Sequence, residues 1–395
     1  MNTPAIASQY KYPLDIVEYF VATYGEQRTL RLLSSLKSPG KHYTIRANTL
    51  RADLATIIER LESRGIKVLQ HREVEEALLI PVEGPFDVPR EGKRVIADKY
   101  AAESVMIGSH LYAPGVLKAE EVKKGDQVYI TDVFDQVVGF GVAEMDGSEM
   151  GAGRKGLAVR VEVAAYKVPS LRELPEHAEG LIYEQSLPSM VVSRVLDPQP
   201  GDYILDMCAA PGGKATHIAQ LTRNQATVVA LDHSKARIAK LRENVVRLGA
   251  YSIRPIRSDS RYVYEDFPFF VKPNKILIDP PCSALGVRPK LYETSTLKDV
   301  EACAEYQKQF FRAAVKVLRS RGIIVYSTCT FTRHENEQLI EQVVEELGLE
   351  LVEQGFVLGS SGEYEDPVLS AKVQRFYPDV HDVTGYFIAK LKKKD

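Results

Sequence analysis

Two cysteines stand where a thiol could do chemistry. Cys282 lies in Asp279-Pro280-Pro281-Cys282-Ser283 and Cys329 in Ser327-Thr328-Cys329-Thr330, each just after a strand-like run of apolar residues. Upstream is a glycine loop, Cys208-Ala209-Ala210-Pro211-Gly212-Gly213-Lys214, whose backbone can approach a nucleotide-like ligand while the next helix presents free N–H groups. A solitary buried cysteine is more often a small apolar filler than a nucleophile, and Cys303, inside a helical run, is read that way. Cys282 and Cys329 differ because both follow strand ends on the edge where the glycine loop lies. A thiol there is a candidate nucleophile, provided that the site lowers its pKa or supplies a base. The Asp279-Pro280-Pro281 turn is rigid, since each proline fixes φ and removes an N–H, and it leaves Asp279 and the carbonyls free to contact a planar base.

Asp206, Asp232, Asp259 and Asp279 each fall at the end of a strand-like run, so four carboxylates gather toward one edge. Asp232 follows Asp206 by 26 residues (232 − 206), near the ~20-residue spacing at which an acidic side chain meets a ribose hydroxyl pair. A phosphate-binding Walker loop would need Gly at Cys208 and Ser or Thr at Ala215, and the dinucleotide pattern G-x-G-x-x-G is absent. Acidic strand ends repel a pyrophosphate but suit a cofactor with ribose hydroxyls and a cationic or amino-acid end, such as S-adenosylmethionine. Taken alone, Gly212-Gly213 could equally form a tight turn and nothing more.

The elements that must position these residues follow from periodicity. After Pro169 the chain alternates strand-like runs (203–207, 228–232, 253–258, 275–279, 323–327 and 386–391) with helical ones (234–248, 297–318 and 335–347). Such alternation predicts a doubly wound, mainly parallel α/β domain of Rossmann-like type over residues 169–395, with ligands at the carboxyl ends of the strands. Residues 93–168 read as a compact β-barrel, with strands over 128–133, 137–144 and 157–163 separated by glycine turns and an exposed loop at 148–156. Residues 1–92 read as a small α+β region, with helical runs at 16–24 and 54–61 and strand-like pieces at 43–46, 67–69 and 78–81.

Composition narrows the function classes. The 395 residues are 45% hydrophobic and 26% charged with net charge −2, which suits several folded domains and argues against indiscriminate polyanion binding. No apolar run approaches the ~20 residues that span a bilayer, and residues 1–12 lack signal-peptide character, so a cytoplasmic protein without membrane association is expected. The four cysteines form no C-x-x-C pair and have no metal-ligand spacing with the eight histidines, so neither a metal site nor a disulfide framework is expected.

The segments 206–214, 279–283 and 327–330 with Glu335-Asn336-Glu337 closely resemble the Nol/Nop/Sun family of RNA cytosine-C5 methyltransferases. Arg46-Ala47-Asn48-Thr49-Leu50, residues 185–189 and Gly385-Tyr386-Phe387 add to the likeness. Residues 93–168, with Ala97-Asp98, Val116, Lys123-Lys124-Gly125-Asp126 and Gly139-Phe140-Gly141, resemble a PUA domain, a small RNA-binding barrel. Together they resemble the branch that forms 5-methylcytosine at cytosine 72 of the tRNA acceptor stem, gripping the CCA end.

The resemblance implies separate roles for the thiols. Cytosine C5 is too weak a nucleophile to take a methyl group directly, so such enzymes add a thiolate to C6; Cys329 matches the attacking position and Cys282 the position that assists release of the adduct. Asp279 matches the residue that hydrogen-bonds the base near N3, and Lys214 one near cofactor and base. For S-adenosylmethionine, the loop Cys208 to Lys214 and Asp279 match cofactor contacts, Asp232 would take the ribose hydroxyls, Asp259 the adenine amino group, and Arg237 would stack on the adenine. Lys123 and Lys124 are candidate phosphate contacts. Rival readings are an rRNA cytosine-C5 methyltransferase, a DNA enzyme attacking through Cys282, and a catalytically silent RNA-binding factor.

Overall fold

The runs that end near Asp206, Asp232 and Asp279 are apolar on both faces, as parallel strands covered by helical crossovers must be. In the computed structural model, which describes residues 2–266 and 271–395, they lie side by side. Strands β1 (Tyr203–Asp206), β2 (Thr227–Asp232), β3 (Ile253–Arg257), β4 (Lys275–Ile278) and β5 (Ile323–Thr328) are parallel, while β6 (Val373–Phe376) and β7 (Tyr386–Lys393) run antiparallel. Their order is β3-β2-β1-β4-β5-β7-β6; Leu349–Leu351 adds to β7 and Ser360–Ser361 to β6, giving nine strands among the described residues.

Side chains alternate between two cores with the strand period of two. Ile204, Val228, Ala230, Leu277 and Val325 face one side, where α1 (Gly213–Leu221) and α2 (Lys235–Leu248) contribute Ile218 and Leu241. Leu205, Val229, Ile276, Ile278 and Ile324 face the other, against Phe311 of α3 (Leu297–Val317) and Ile340 of α4 (Glu337–Glu346). Fully burying one such side chain contributes about 1.5–3 kcal/mol, so both layers hold the strand edge rigidly. The expected doubly wound fold is present. The run 386–391 departs from the expected parallel series: it pairs antiparallel with β5, Thr328 opposite Phe387. The helix expected from residue 335 begins at Glu337, because Asn336 is held in a loop by its side chain, which accepts from the Thr328 hydroxyl at 2.6 Å and donates to the Thr330 carbonyl at 3.1 Å.

The residues group into two compact units: Met1–Tyr43, Ile80–Leu174 and Arg288–Thr294 in one, and Thr44–Leu79, Pro175–Val287 and Ser295–Asp395 in the other. This packing parts the sequence-defined region 1–92 after residue 43. The first unit carries helices Thr3–Tyr10, Leu14–Tyr24 and Glu26–Leu36 and a six-stranded sheet in which Gln127–Thr131, Val137–Ala143 and Leu157–Ala164 are central. Gly141 is required in that sheet, since a Cβ there would sit 2.1 Å from the Arg160 carbonyl oxygen. The expected loop 148–156 is not wholly exposed: Asp146 and Glu149 form a capping box and Met150 is buried.

Candidate active site

Adjacent parallel strands deliver both cysteines. Ile278 lies opposite Tyr326 in the β4–β5 register, so the loops after Ile278 and Thr328 leave the sheet at one edge and bring the Cys282 and Cys329 sulfurs to 3.3 Å. Asp279 takes hydrogen bonds from Lys214 Nζ at 2.6 Å, the Ser327 hydroxyl at 2.6 Å and the Tyr386 hydroxyl at 3.2 Å. Burial would lower the Lys214 pKa, but the adjoining Asp279 carboxylate overrides it and the ammonium is held well above its ordinary range. The Cys329 pKa is lowered first by the hydrogen bond shared with Cys282; burial and the Asp279 charge oppose this and the Lys214 ammonium adds to it, while the Cys282 pKa is raised by the same hydrogen bond and by burial. The two shifts run in opposite directions, so of the two thiols Cys329 is the one that gives up its proton more readily.

Two cavities flank Asp279. One of about 250 Å³ is lined by Cys208, Asp232, Arg237, Asp259, Asp279, Cys282 and Cys329, together with Tyr306 of α3. The other, about 230 Å³, is lined by Ala209, Ala210, Pro211, Gly213 and Lys214 and by Asp206, Tyr183 and Gln185. Within them Asp232 accepts from the Ser234 N–H at 2.9 Å and pairs with Arg237 at 3.3 Å, while Asp259 holds Arg261 at 2.6 Å. Arg261 lies beneath the Tyr306 ring, 4.8 Å from its centroid. Gly212 lines neither cavity; with φ +115°, its Cβ would meet Leu241 at 2.6 Å, so its absence of side chain serves packing of α1 against α2. Lys123 and Lys124 lie in the other unit, where the Lys123 ammonium pairs with Asp146 at 3.1 Å and the Lys124 N–H donates to the same carboxylate.

The cavities fit S-adenosylmethionine on the chemistry of their donors. Asp206 Oδ2 is buried without a partner, and burial together with the Asp279 charge pushes its pKa up to about 7; a cationic group bound beside it would reverse that shift and take the ionised oxygen as its acceptor. When bound, the cofactor supplies an electrophilic methyl group. Arg46 has no role legible from the Arg46-Ala47-Asn48-Thr49-Leu50 segment alone; its guanidinium, fully buried, donates to the Gly213 carbonyl at 2.7 Å, to Gln185 at 2.7 Å and to Thr216 at 2.8 Å, fixing the glycine loop from behind. Ser327 and Tyr386 likewise have roles that only the fold reveals, and Arg261 and Tyr306 carry no signal in the sequence. Among the described residues, no group of three or more His, Cys, Asp or Glu is arranged to hold a metal ion, and no helix is long and apolar enough to cross a membrane.

Strand order, glycine loop and strand-end carboxylates define a class I S-adenosylmethionine-dependent methyltransferase. Residues 193–392 match the family model described as 16S rRNA methyltransferase RsmB/F, and residues 93–164 match the PUA domain. The chain is 45% identical over 386 residues to a tRNA (cytosine(72)-C(5))-methyltransferase of Pyrococcus horikoshii, covering 97% of each. It is 34% identical to human tRNA (cytosine(72)-C(5))-methyltransferase NSUN6, covering 81% of this chain and 76% of that protein. The crystal structure of NSun6 from Pyrococcus horikoshii with SFG, an S-adenosylmethionine analogue, matches with a TM-score of 0.88 at 45% identity, covering 98% of this chain and 99% of that one. The chain belongs to the Nol/Nop/Sun family of RNA cytosine-C5 methyltransferases and carries a PUA domain.

Proposed function

We propose that the protein methylates C5 of cytosine 72 in the tRNA acceptor stem, next to the CCA end, through a covalent adduct of Cys329 to cytosine C6. The observation that carries the chemistry is the pair of sulfurs 3.3 Å apart beside Asp279 and Lys214; the full-length similarity to relatives named for cytosine 72 supports the substrate. Cys329 attacks C6 as the thiolate, and N3, where negative charge develops, takes a proton through the Asp279 carboxyl, which the Lys214 ammonium at 2.6 Å can resupply. Asp232 and Asp259 hold the ribose and adenine of the cofactor, with Arg237 beside them. After methyl transfer the Cys282 S–H passes its proton to solvent; the resulting thiolate takes the C5 proton, the C5–H electron pair re-forms the C5–C6 double bond, and the C6–S electron pair returns to Cys329. A paired base must be flipped out, at a cost of a few kcal/mol, and a pair at the end of a stem is cheapest to open. Lys123 and Lys124 would contact phosphate, the largely exposed Lys123 ammonium with the donors that its pairing to Asp146 leaves over.

The test is transfer of labelled methyl from S-adenosylmethionine to tRNA with and without its CCA end, with the modified base mapped by bisulfite sequencing. Label at cytosine 72 that requires CCA is expected. Equal labelling of the truncated tRNA would remove the acceptor-end reading, and preferential labelling of rRNA would favour the rRNA alternative.

A further inference from the structure

The Glu335 side chain joins the loops that carry the two cysteines. It is fully buried, and its acceptor positions are filled. Oε1 accepts from the Ser283 backbone N–H at 2.9 Å and from Gln307 Nε2 at 2.9 Å; Oε2 accepts from the Ser283 hydroxyl at 2.5 Å and the Thr332 hydroxyl at 3.0 Å. A carboxylate offers about four lone-pair sites, so neutral donors saturate this one. Ser283 directly follows Cys282, and its Oγ also lies 2.9 Å from Thr330 Oγ1, next to Cys329. Because Glu335 takes the serine proton, the threonine hydroxyl is the donor in that second contact. On the other flank of Cys282, Gln307 donates to the Pro281 carbonyl at 3.0 Å. One carboxylate thus fixes both neighbours of Cys282, while Cys329 follows directly from β5 with Asn336 holding Thr328 and Thr330 beside it.

We infer that Glu335 is a positioning residue for product release, holding the Cys282 sulfur at the adduct formed on Cys329. The inference rests on the division of labour proposed above. Attack needs the Cys329 thiolate and the base, with Cys282 aiding only through the hydrogen bond between the sulfurs, whereas elimination needs the second sulfur itself at a fixed place, so loosening Glu335 slows release more than attack. A misplacement of about 1 Å can cost about a hundredfold in rate.

The experiment uses the full chain, tRNA and methyl-labelled S-adenosylmethionine, with the covalent RNA–protein complex read on a denaturing gel beside Cys282→Ala. Glu335→Gln keeps the volume but removes the charge and, with its amide oxygen facing the Ser283 N–H and Gln307, turns an NH₂ toward the Ser283 and Thr332 hydroxyls, which must reverse from donors to acceptors and so disturb the Ser283–Thr330 contact. Its turnover is expected to fall by about tenfold or more, with methyl-labelled adduct accumulating and the KM for cofactor unchanged. Glu335→Asp is expected to lie between Glu335→Gln and wild type. Ser283→Ala, which removes one donor and spares the backbone contact, is expected to accumulate adduct to a smaller extent, and it decides the question if Glu335→Gln lacks a cooperative melt. If Cys282→Ala traps adduct and neither Glu335→Gln nor Ser283→Ala exceeds wild type, the inference fails and the division of labour stands. Adduct formation slowed as much as turnover would also overturn it. If Cys282→Ala itself traps nothing, the division of labour fails and takes this role of Glu335 with it.

Discussion

Cys282 and Cys329 are the same side chain, and their surroundings separate them. The hydrogen bond that the two sulfurs share lowers the Cys329 pKa, aided by the Lys214 ammonium against burial and the Asp279 charge, and with burial it raises that of Cys282. The sign for catalysis follows: the attacking group works deprotonated, so adduct formation rises with pH through the Cys329 pKa and levels off above it. Cys282→Ala removes the S–H donor that lowers that pKa, and the rising limb should move to higher pH in single-turnover measurements of adduct formation. A limb that stays in place would mean that Cys282 does not tune the nucleophile.

The loop between β5 and α4 depends on an ion pair behind it. Arg375 of β6 and Glu337 at the start of α4 are both fully buried and paired, and Arg375 also donates to the Phe331 carbonyl at 2.8 Å. Arg375→Met leaves a buried carboxylate unpaired and is expected to destabilise the catalytic unit by about 3–5 kcal/mol in urea unfolding, with Glu337→Gln in the same chain recovering part of the loss. An unchanged midpoint would contradict this. Strands β1, β2, β4 and β5 were legible because an apolar run buried on both faces leaves its mark in composition, and Asp232, Asp279 and both cysteines were legible as its punctuation. Strand β6 was not, since Gln374 and Arg375 read as solvent-facing until their distant partners, Gln354 and Glu337, are in place. For the same reason Glu335 and Asn336 read as the first turn of a helix; long-range hydrogen bonds outweigh the local pattern there.

At the scale of the molecule, a net charge of −2 requires RNA affinity to come from locally grouped cations. If Lys123 and Lys124 each contact phosphate, Lys123→Ala and Lys124→Ala should each reduce the slope of log affinity against log salt by about 0.7–0.9, uniformly across tRNAs. Unchanged slopes would exclude both lysines as phosphate contacts.

The central claim is that turnover is a cycle in which one cysteine makes the bond to RNA and the other undoes it. The direct measurement is a denaturing gel of each variant with tRNA and S-adenosylmethionine. The Cys282→Ala protein should accumulate a covalent RNA complex and the Cys329→Ala protein none; a complex trapped by Cys329→Ala would reverse the two roles.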